Sequence, residues 1–241
     1  MQVKENMANT NDTTAPSTGA HMCQNDPGRG VTTEAYIVEL HRDITACRIC
    51  RDHPAGGEAR RLPHEPRPVV VMSATARILI AGQAPGLRVH ATGLPFNDAS
   101  GDRLRQWLGI TREQFYDPAL FAIAGMGFCF PGYDAHGHDL PPRRECAPAW
   151  RSTVMAVMPQ IELVLAIGQH AQSWHLGQRR FPTMTETVAH WRDYFFSNAE
   201  GPKILPLPHP SWRNSGWLRK NAWFEAEVVP TLQREVDRLT K

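Results

Sequence analysis

The stretch from Leu205 to Asn214 places a histidine, a serine, an arginine and an asparagine directly after a short apolar run. Prolines at positions 206, 208 and 210 restrict the backbone before and through this turn. The polar side chains around His209 are therefore held in place at little entropic cost. We predict that this turn forms one wall of a binding pocket.

A second stretch has the same design. The apolar run 76–81 is typical of a buried strand, and Gly82-Gln83-Ala84-Pro85-Gly86 follows it as a loop bounded by glycines. In an open parallel sheet, ligands bind beyond the carboxyl ends of the strands. We therefore expect this first loop and the turn around His209 to face the same pocket.

Four cysteines form a further candidate site. Cys47 and Cys50 make a Cys-x-x-Cys pair, and Cys129 and Cys146 lie far downstream with sixteen residues between them. Four thiolates can converge on one metal site, and both zinc and a cubane iron–sulfur cluster accept such a set. The alternative is that Cys129, in Phe-Cys-Phe, is simply a buried apolar residue. Thioredoxin-like chemistry is disfavoured because the pair follows a helix.

Composition sets the broad class of this 241-residue chain. A hydrophobic fraction of 41% is enough for a real core, and a net charge of +2 argues neither for nor against nucleic acid. The arginine pairs at 60–61, 143–144 and 179–180 are interpreted as solvated surface. An odd number of cysteines, without a secretory or membrane-spanning apolar segment, predicts a reducing, cytoplasmic location.

The elements that must position these groups alternate along the chain. A polar tail at 1–30, which includes Cys23 as a bystander, is predicted to be disordered, and 31–241 to form a single domain. Thr33 is the expected cap of the first helix, and Pro230 is expected to bend or restart the last one. Strands are predicted at 77–82, 120–125, 162–168 and 203–208, and helices at 100–109, 145–158 and 169–176. This alternation predicts a three-layer α/β/α sandwich around a mostly parallel four-stranded sheet.

Together, the two loops and the cysteines resemble the uracil-DNA glycosylase superfamily, most closely its iron–sulfur branches, families four and five. The first loop corresponds to the Gly-Glu-Ala-Pro-Gly of family four, and His209-Pro210-Ser211 corresponds to the second motif of the superfamily. The cysteines match the ligands of a 4Fe–4S cluster in order and approximate spacing, which favours that cluster over zinc. The resemblance covers roughly residues 34 to 235. It implies a DNA repair enzyme that flips a damaged base out of the helix and hydrolyses its N-glycosidic bond. We also expect the protein to be a monomer.

The resemblance also implies roles for individual residues. His209 would donate a hydrogen bond to the base oxygen as negative charge develops there. Phe96 would stack on the flipped base, unless it is an ordinary core phenylalanine. The backbone of the first loop would face the base or the phosphates on its 3′ side; the residues concerned are Gly82, Ala84, Pro85 and Gly86. The DNA backbone near the lesion would be gripped by Ser211, Arg213 and Asn214, with Trp212 or Arg213 entering the gap that flipping leaves.

Two departures from the family pattern limit what can be carried over. Gln83 stands where family four has glutamate, and alanine at 84 stands where family one has its water-activating aspartate. A glutamine can orient a water but cannot accept its proton at neutral pH. Asp98 matches an aspartate that serves the water in family five, although it is equally well placed to cap the following helix. His90 is a weaker candidate for the base, and His170 is assigned to a helix start.

The second departure concerns base recognition. Gly125 occupies the position of the asparagine that reads uracil in other members, so a main selector among bases is missing. Without a buried polar reader, no group is left unpaired by a wrong base, and discrimination relaxes. We expect activity on uracil and on other deaminated bases such as hypoxanthine or xanthine. Because neither motif has a lysine for a Schiff base, the expected product is an intact abasic site.

Two other classes of function remain open from the sequence. A chain whose first loop has lost its carboxylate fits a non-catalytic binder of damaged or abasic DNA. The cysteines alone also fit an electron-transfer or zinc-ribbon protein unrelated to DNA.

Overall fold

A four-stranded parallel sheet forms the centre of the computed structural model, which describes residues 32–197 and 200–241. The strand order is β2-β1-β3-β4, and every neighbouring pair runs parallel. The strands are β1 (Ile78–Ala81), β2 (Phe121–Ile123), β3 (Leu163–Ile167) and β4 (Lys203–Leu207). The four predicted strands are thus confirmed, each slightly shorter than expected. The predicted disordered tail and Cys23 lie outside the described residues.

Both faces of the sheet are covered, because successive side chains in a strand point to opposite sides. In β1, Ile78 and Ile80 join one hydrophobic cluster, whereas Leu79 and Ala81 join the other. The strands consequently read as continuous apolar runs, as is usual for a parallel sheet buried on both faces. The predicted three-layer α/β/α arrangement is confirmed.

The helices pack onto the two faces in two groups. Three helices that cover the face of Ile78 and Ile80 are α4 (Ala99–Leu108), α9 (Trp191–Phe195) and α11 (Val229–Thr240). Three that cover the opposite face are α1 (Thr33–Thr45), α6 (Cys146–Ala156) and α7 (Gly168–Leu176). The shorter helices are α2 (Ile49–Asp52), α3 (Leu87–Thr92), α5 (Arg112–Phe115), α8 (Met184–Ala189) and α10 (Ser215–Lys220). None of the helices in the described part of the chain has the length and apolar character needed to cross a bilayer.

Helix boundaries differ from the sequence prediction in one detail and agree in another. The cap of α1 is Thr32 rather than Thr33, and its hydroxyl accepts a hydrogen bond from the Ala35 amide. Pro230 does restart the last helix: a π-helical turn at Phe224–Val228 precedes α11, and the proline sits in the first turn of α11. A proline is tolerated there because the first amides of a helix have no intrahelical acceptor.

The segment before α4 is held in a strained conformation. Phe96 has φ of +52° and is the only residue other than glycine with positive φ among those described. The hydroxyl of Tyr116 donates to the carbonyls of Pro95 and Phe96, at 3.0 Å and 3.3 Å. Gly101 allows this conformation, because a Cβ at that position would lie 1.8 Å from the Phe96 carbonyl oxygen. Strain of this kind persists only where the surroundings fix it.

Gly101→Ala is therefore expected to destabilise the protein by about 3 kcal/mol or more, since backbone has to move to admit the methyl group. Gly216→Ala is the matched control, because Gly216 is also helical and an added Cβ there meets only the end of Arg219 at 3.8 Å. Chemical denaturation of the two variants measures the difference. Equal stabilities would show that the contact between residues 96 and 101 is not rigid.

Candidate active site

The first loop and the turn after β4 lie at the same end of the sheet. They follow β1 and β4, which flank β3 on either side. Helix α4 is tied to the turn after β4, because Arg103 donates to the Ser211 carbonyl at 3.0 Å and to the Ser215 hydroxyl at 3.2 Å. The negative charge of Asp98, at the start of α4, acts on His209. The structure thus places the two predicted walls at one end of the sheet, with the charge of Asp98 within reach of the histidine.

His209 is held in a defined tautomer. Its Nδ1 accepts a hydrogen bond from the Ser211 amide at 3.2 Å, so the proton of the neutral ring lies on Nε2. Burial lowers the pKa of His209, although the charge of Asp98 opposes this shift. Asn214 fixes the same turn by donating from Nδ2 to the His209 carbonyl at 2.7 Å. The ring is therefore a neutral hydrogen-bond donor at physiological pH.

Asp98 caps helix α4, as one of the two sequence interpretations predicted. It is the N-cap of α4, and its Oδ1 accepts from the Gly101 amide at 3.0 Å. That bond uses one carboxylate oxygen, and Oδ2 accepts no hydrogen bond from the described residues. Capping and a place beside His209 are therefore compatible, because the residue is only partly buried and its charge acts on the imidazole.

Gly125, the predicted base-reading position, lies directly against the first loop. The Met126 amide donates to the Gly82 carbonyl at 3.0 Å, and the Gly127 amide donates to the Gln83 carbonyl at 2.9 Å. A Cβ at Gly125 would lie 2.8 Å from the Gly127 carbonyl oxygen, so this tight turn has no room for a side chain. Among the described residues, no backbone carbonyl accepts from the Gly125 amide. Only main-chain groups are therefore available to a ligand at this position.

Phe96 lies over the first loop. Its ring comes within 3.4 Å of where a Cβ of Gly82 would be, and its edge packs on Phe115 at a centroid distance of 6.0 Å. The side chain is partly exposed, unlike the fully buried Phe115. An aromatic ring fixed by the core on one side and open on the other suits stacking with a planar ligand.

The exposed rim beyond His209 is aromatic and basic. Trp212 is 73% exposed, and the guanidinium of Arg213 lies 5.9 Å from its ring centroid. Ser211 and Asn214 are instead engaged in holding the turn, through the bonds to His209. Gripping DNA remains a prediction for all four residues. In the first loop Ala84, Pro85 and Gly86 are partly exposed.

The two other histidines considered from the sequence lie in helices. His90 is in α3, packed against His64 with a ring-centroid distance of 4.4 Å, and its buried Nδ1 has no hydrogen-bond partner among the described residues. Burial, followed by the charges of His64 and Arg67, lowers the pKa of His90. His170 is in the first turn of α7, as expected.

All four cysteines line one cavity between α1, α2 and α6. Cys47, Cys50, Cys129 and Cys146 are free thiols, each partly buried. Burial raises the pKa of Cys129 and Cys146 to about 12, and neighbouring cysteines add to the rise. Without a cation these thiols stay protonated, because metal binding is what drives a coordinating thiol to thiolate.

Several donors point at the cysteine sulfurs. The Phe128 amide donates to Cys146 Sγ and the Trp150 indole to Cys47 Sγ, both at 3.3 Å. The positive charge of Arg143 also acts on Cys50 and opposes the rise that burial causes in the pKa of that thiol. Hydrogen-bond donors of this kind stabilise thiolates. Where the thiolates ligate a cluster, the donors also tune its reduction potential. The sequence interpretation of Arg143 as solvated surface is wrong, since only 14% of its side chain is exposed.

A buried arginine adjoins the cysteines. Arg151 is fully buried, donates to the Ala124 carbonyl at 2.7 Å and to His175 Nε2 at 2.6 Å, and contacts no carboxylate in the described part of the chain. Its Nε has no hydrogen-bond partner there. Burial lowers the pKa of Arg151 to about 10, while the nearby Cys146 opposes the shift. A buried cation without a counterion calls for a negative group nearby. Thiolates around a bound cluster would supply it, so the donor set fits such a group.

The described residues form no ready-made site for a single metal ion. No three His, Cys, Asp or Glu side chains within 32–197 and 200–241 are grouped so as to hold one metal ion. A tetrahedral zinc requires its sulfurs about 2.3 Å from a common point. The four cysteines line a cavity.

Sequence reasoning missed Arg103, Arg151 and Trp150. Arg103 and Arg151 donate hydrogen bonds to carbonyls that lie 108 and 27 residues away along the chain. No local sequence pattern predicts such contacts. Trp150 had a usable signal, because it lies four residues after Cys146 in a predicted helix and so shares its face.

Comparison with known families agrees with this arrangement. A family model described as the uracil DNA glycosylase superfamily matches residues 70–233, well over half of the chain. The match spans both walls of the pocket, from before β1 to within α11. The matched range includes the polar turn with His209, the partly exposed ring of Phe96 and the carboxylate of Asp98. The chain belongs to the uracil DNA glycosylase superfamily, and its general activity is that of a DNA glycosylase.

Proposed function

We propose that this protein is a monofunctional DNA glycosylase that removes uracil and other deaminated bases and leaves an abasic site. The observation that carries the proposal is the meeting of His209, Asp98 and Phe96 at one end of the sheet in a chain of this superfamily. Because a base inside a duplex is out of reach, the nucleotide is flipped into the pocket.

Base selection rests on the main chain at Gly125. Deamination converts an exocyclic amine, which donates hydrogen bonds, into a carbonyl, which accepts them. The Gly125 amide donates to no backbone carbonyl among the described residues, so it is available to such an oxygen. The amide N–H can donate to a carbonyl oxygen of uracil, hypoxanthine or xanthine alike, and stacking on Phe96 contributes about 1–3 kcal/mol whichever base is bound.

His209 assists departure of the base. As the bond from the sugar breaks, negative charge develops on the base, and a donor aimed at its oxygen stabilises that charge. The neutral ring carries its proton on Nε2, since Nδ1 accepts from the Ser211 amide. The neutral ring is itself a donor, so His209 needs no positive charge for this role.

The attacking water is held by Asp98 and Gln83. Asp98 keeps one carboxylate oxygen beside its capping bond, and Gln83 lies in the first loop, which faces the same end of the sheet. The negative charge of Asp98 also stabilises the positive charge that develops on the sugar. No lysine occurs in either loop, which supports hydrolysis without strand cleavage.

The cofactor proposed for the cavity is a 4Fe–4S cluster bound by Cys47, Cys50, Cys129 and Cys146. The cavity between the thiols, the donors to their sulfurs and the buried charge of Arg151 support a bulky anionic group more than a zinc ion. When bound, the cluster ties α1 and α2 to the loop that follows β2 and to α6. Its role is structural, and the residues around His209 carry out the chemistry.

Single-turnover excision from duplexes that contain uracil, hypoxanthine or xanthine tests the base range. We expect the three rates to lie within about 10²-fold of one another, because a pocket without a polar side-chain reader discriminates weakly. Rates for the other two bases about 10⁴-fold below uracil would indicate a dedicated uracil reader. Binding without release of any base would favour the alternative, a non-catalytic binder of damaged DNA, which the lack of a carboxylate in the first loop leaves open.

A further inference from the structure

A second carboxylate, absent from both loop motifs, reaches the first loop. Asp139 Oδ2 lies 3.5 Å from where a Cβ of Gly86 would be, so the carboxylate rests against that loop. The charges of Arg213 and Asp98 both act on Asp139, and Asp98 acts in turn on His209. Four ionisable side chains from three separate segments therefore share one site.

The backbone of Asp139 is firmly held. It forms an antiparallel bridge with Tyr133, and the Leu140 amide donates to the Gly132 carbonyl at 2.9 Å. Asp134 closes this hairpin, because its Oδ1 accepts from the amides of His136 and His138 at 2.8 Å and 2.9 Å. The hairpin is thus a rigid support that presents the Asp139 carboxylate to the loop.

The two carboxylate oxygens of Asp139 take no part in holding the described fold together. Neither accepts a hydrogen bond from any residue in the described part of the chain, whereas Asp98 caps α4 and Asp134 closes the hairpin. Partial burial raises the pKa of Asp139, the charge of Asp98 adds to the rise, and the charge of Arg213 opposes it. A carboxylate with a raised pKa is a better proton acceptor than an ordinary one.

We infer that Asp139 is the general base of this glycosylase and takes the proton of the water that Asp98 and Gln83 hold. The inference rests on the proposed function. The water oxygen bonds to C1′ of the sugar while the bond from C1′ to the base nitrogen breaks. The electron pair of the broken bond leaves with the base, whose negative charge His209 stabilises. The proton from the water passes to Asp139 and then to solvent.

Asp139→Asn tests the inference through rate, pH dependence and binding together. General bases contribute about 10²–10⁴-fold, so we expect a loss of about 10²-fold or more in single-turnover excision of uracil. The wild-type rate should rise with pH until Asp139 is ionised, while the residual rate of the variant should be flat over the same range. Binding of the uracil duplex should be unchanged or tighter, because a negative charge near phosphates is removed. Asp139→Glu should restore part of the rate and the pH dependence.

Two further variants separate the inference from the function on which it rests. Asp98→Asn should slow excision but keep the rise with pH, and Asp193→Asn, a change on the exposed surface of α9, should behave as wild type. The inference is overturned if Asp139→Asn keeps the wild-type rate and pH profile while Asp98→Asn loses both. In that case the glycosylase function stands with Asp98 as its base. An inert wild type would overturn the inference and the proposed function alike.

Discussion

Replacement of His209 with alanine is expected to slow single-turnover release of uracil by about 10²–10³-fold, the usual cost of removing one donor to a developing oxyanion. The structure supplies the reason, because Nδ1 accepts from the Ser211 amide and leaves Nε2 as the donor. Release of uracil from a labelled duplex, with protein in excess, measures the effect directly. Substrate binding should change little, since the hydrogen bond strengthens only as charge develops.

A second histidine serves as the control for general effects of replacing histidine with alanine. His41 lies on the exposed face of α1, and His41→Ala should release uracil at the wild-type rate. His209→Gln retains a neutral donor and should recover part of the loss. If His209→Ala keeps the full rate, another group stabilises the departing base and the role given to His209 is wrong.

Loss of one cysteine of the proposed cluster site is expected to cost about 5 kcal/mol, because removal of a bound metal group ranks among the most destabilising single changes. In a domain of this size, such a loss lowers Tm by about 10–20 °C. Cys146→Ser preserves the volume of the side chain, so little of the effect comes from a cavity. The broad visible absorption of anaerobically purified protein should disappear in the same variant. Thermal melts and absorption spectra of one preparation give both quantities.

Cys23→Ser provides the control, since Cys23 is the fifth cysteine and lies outside the set of four proposed ligands. It should leave both the colour and Tm unchanged. If Cys146→Ser melts with the wild type, the cluster does not hold the fold together. A colourless wild type that contains one equivalent of zinc would point to the other metal that accepts four thiolates.

The sheet was predictable because each strand is a short apolar run bounded by turn residues. The run 76–81 before a glycine is typical, and β1 occupies Ile78–Ala81 within it. Pro230 likewise marks the restart of the last helix in sequence and structure alike. The cap of α1 was misplaced by one residue, because Thr32 and Thr33 are adjacent and equally suited to capping.

The site was only partly predictable. Motif residues such as His209 and Gln83 follow strands, so their meeting at one end of the sheet follows from parallel topology. The positive φ of Phe96 and the contact of Asp139 with Gly86 have no local signature, since both depend on residues that are distant in the chain or on backbone geometry. Buried charges such as Arg151 are equally hidden, because an arginine in an amphipathic helix is ordinarily exposed.

The central claim is that this pocket breaks a bond rather than only binding damaged DNA. Intact-mass spectrometry of a uracil-containing duplex, incubated with excess protein, tests it most directly, with His209→Ala prepared in parallel. The wild type should convert the substrate strand to an unbroken strand lighter by the mass lost when the base is replaced by a hydroxyl, and His209→Ala should do so far more slowly. A strand of unchanged mass, on DNA that the protein demonstrably binds, would contradict the account.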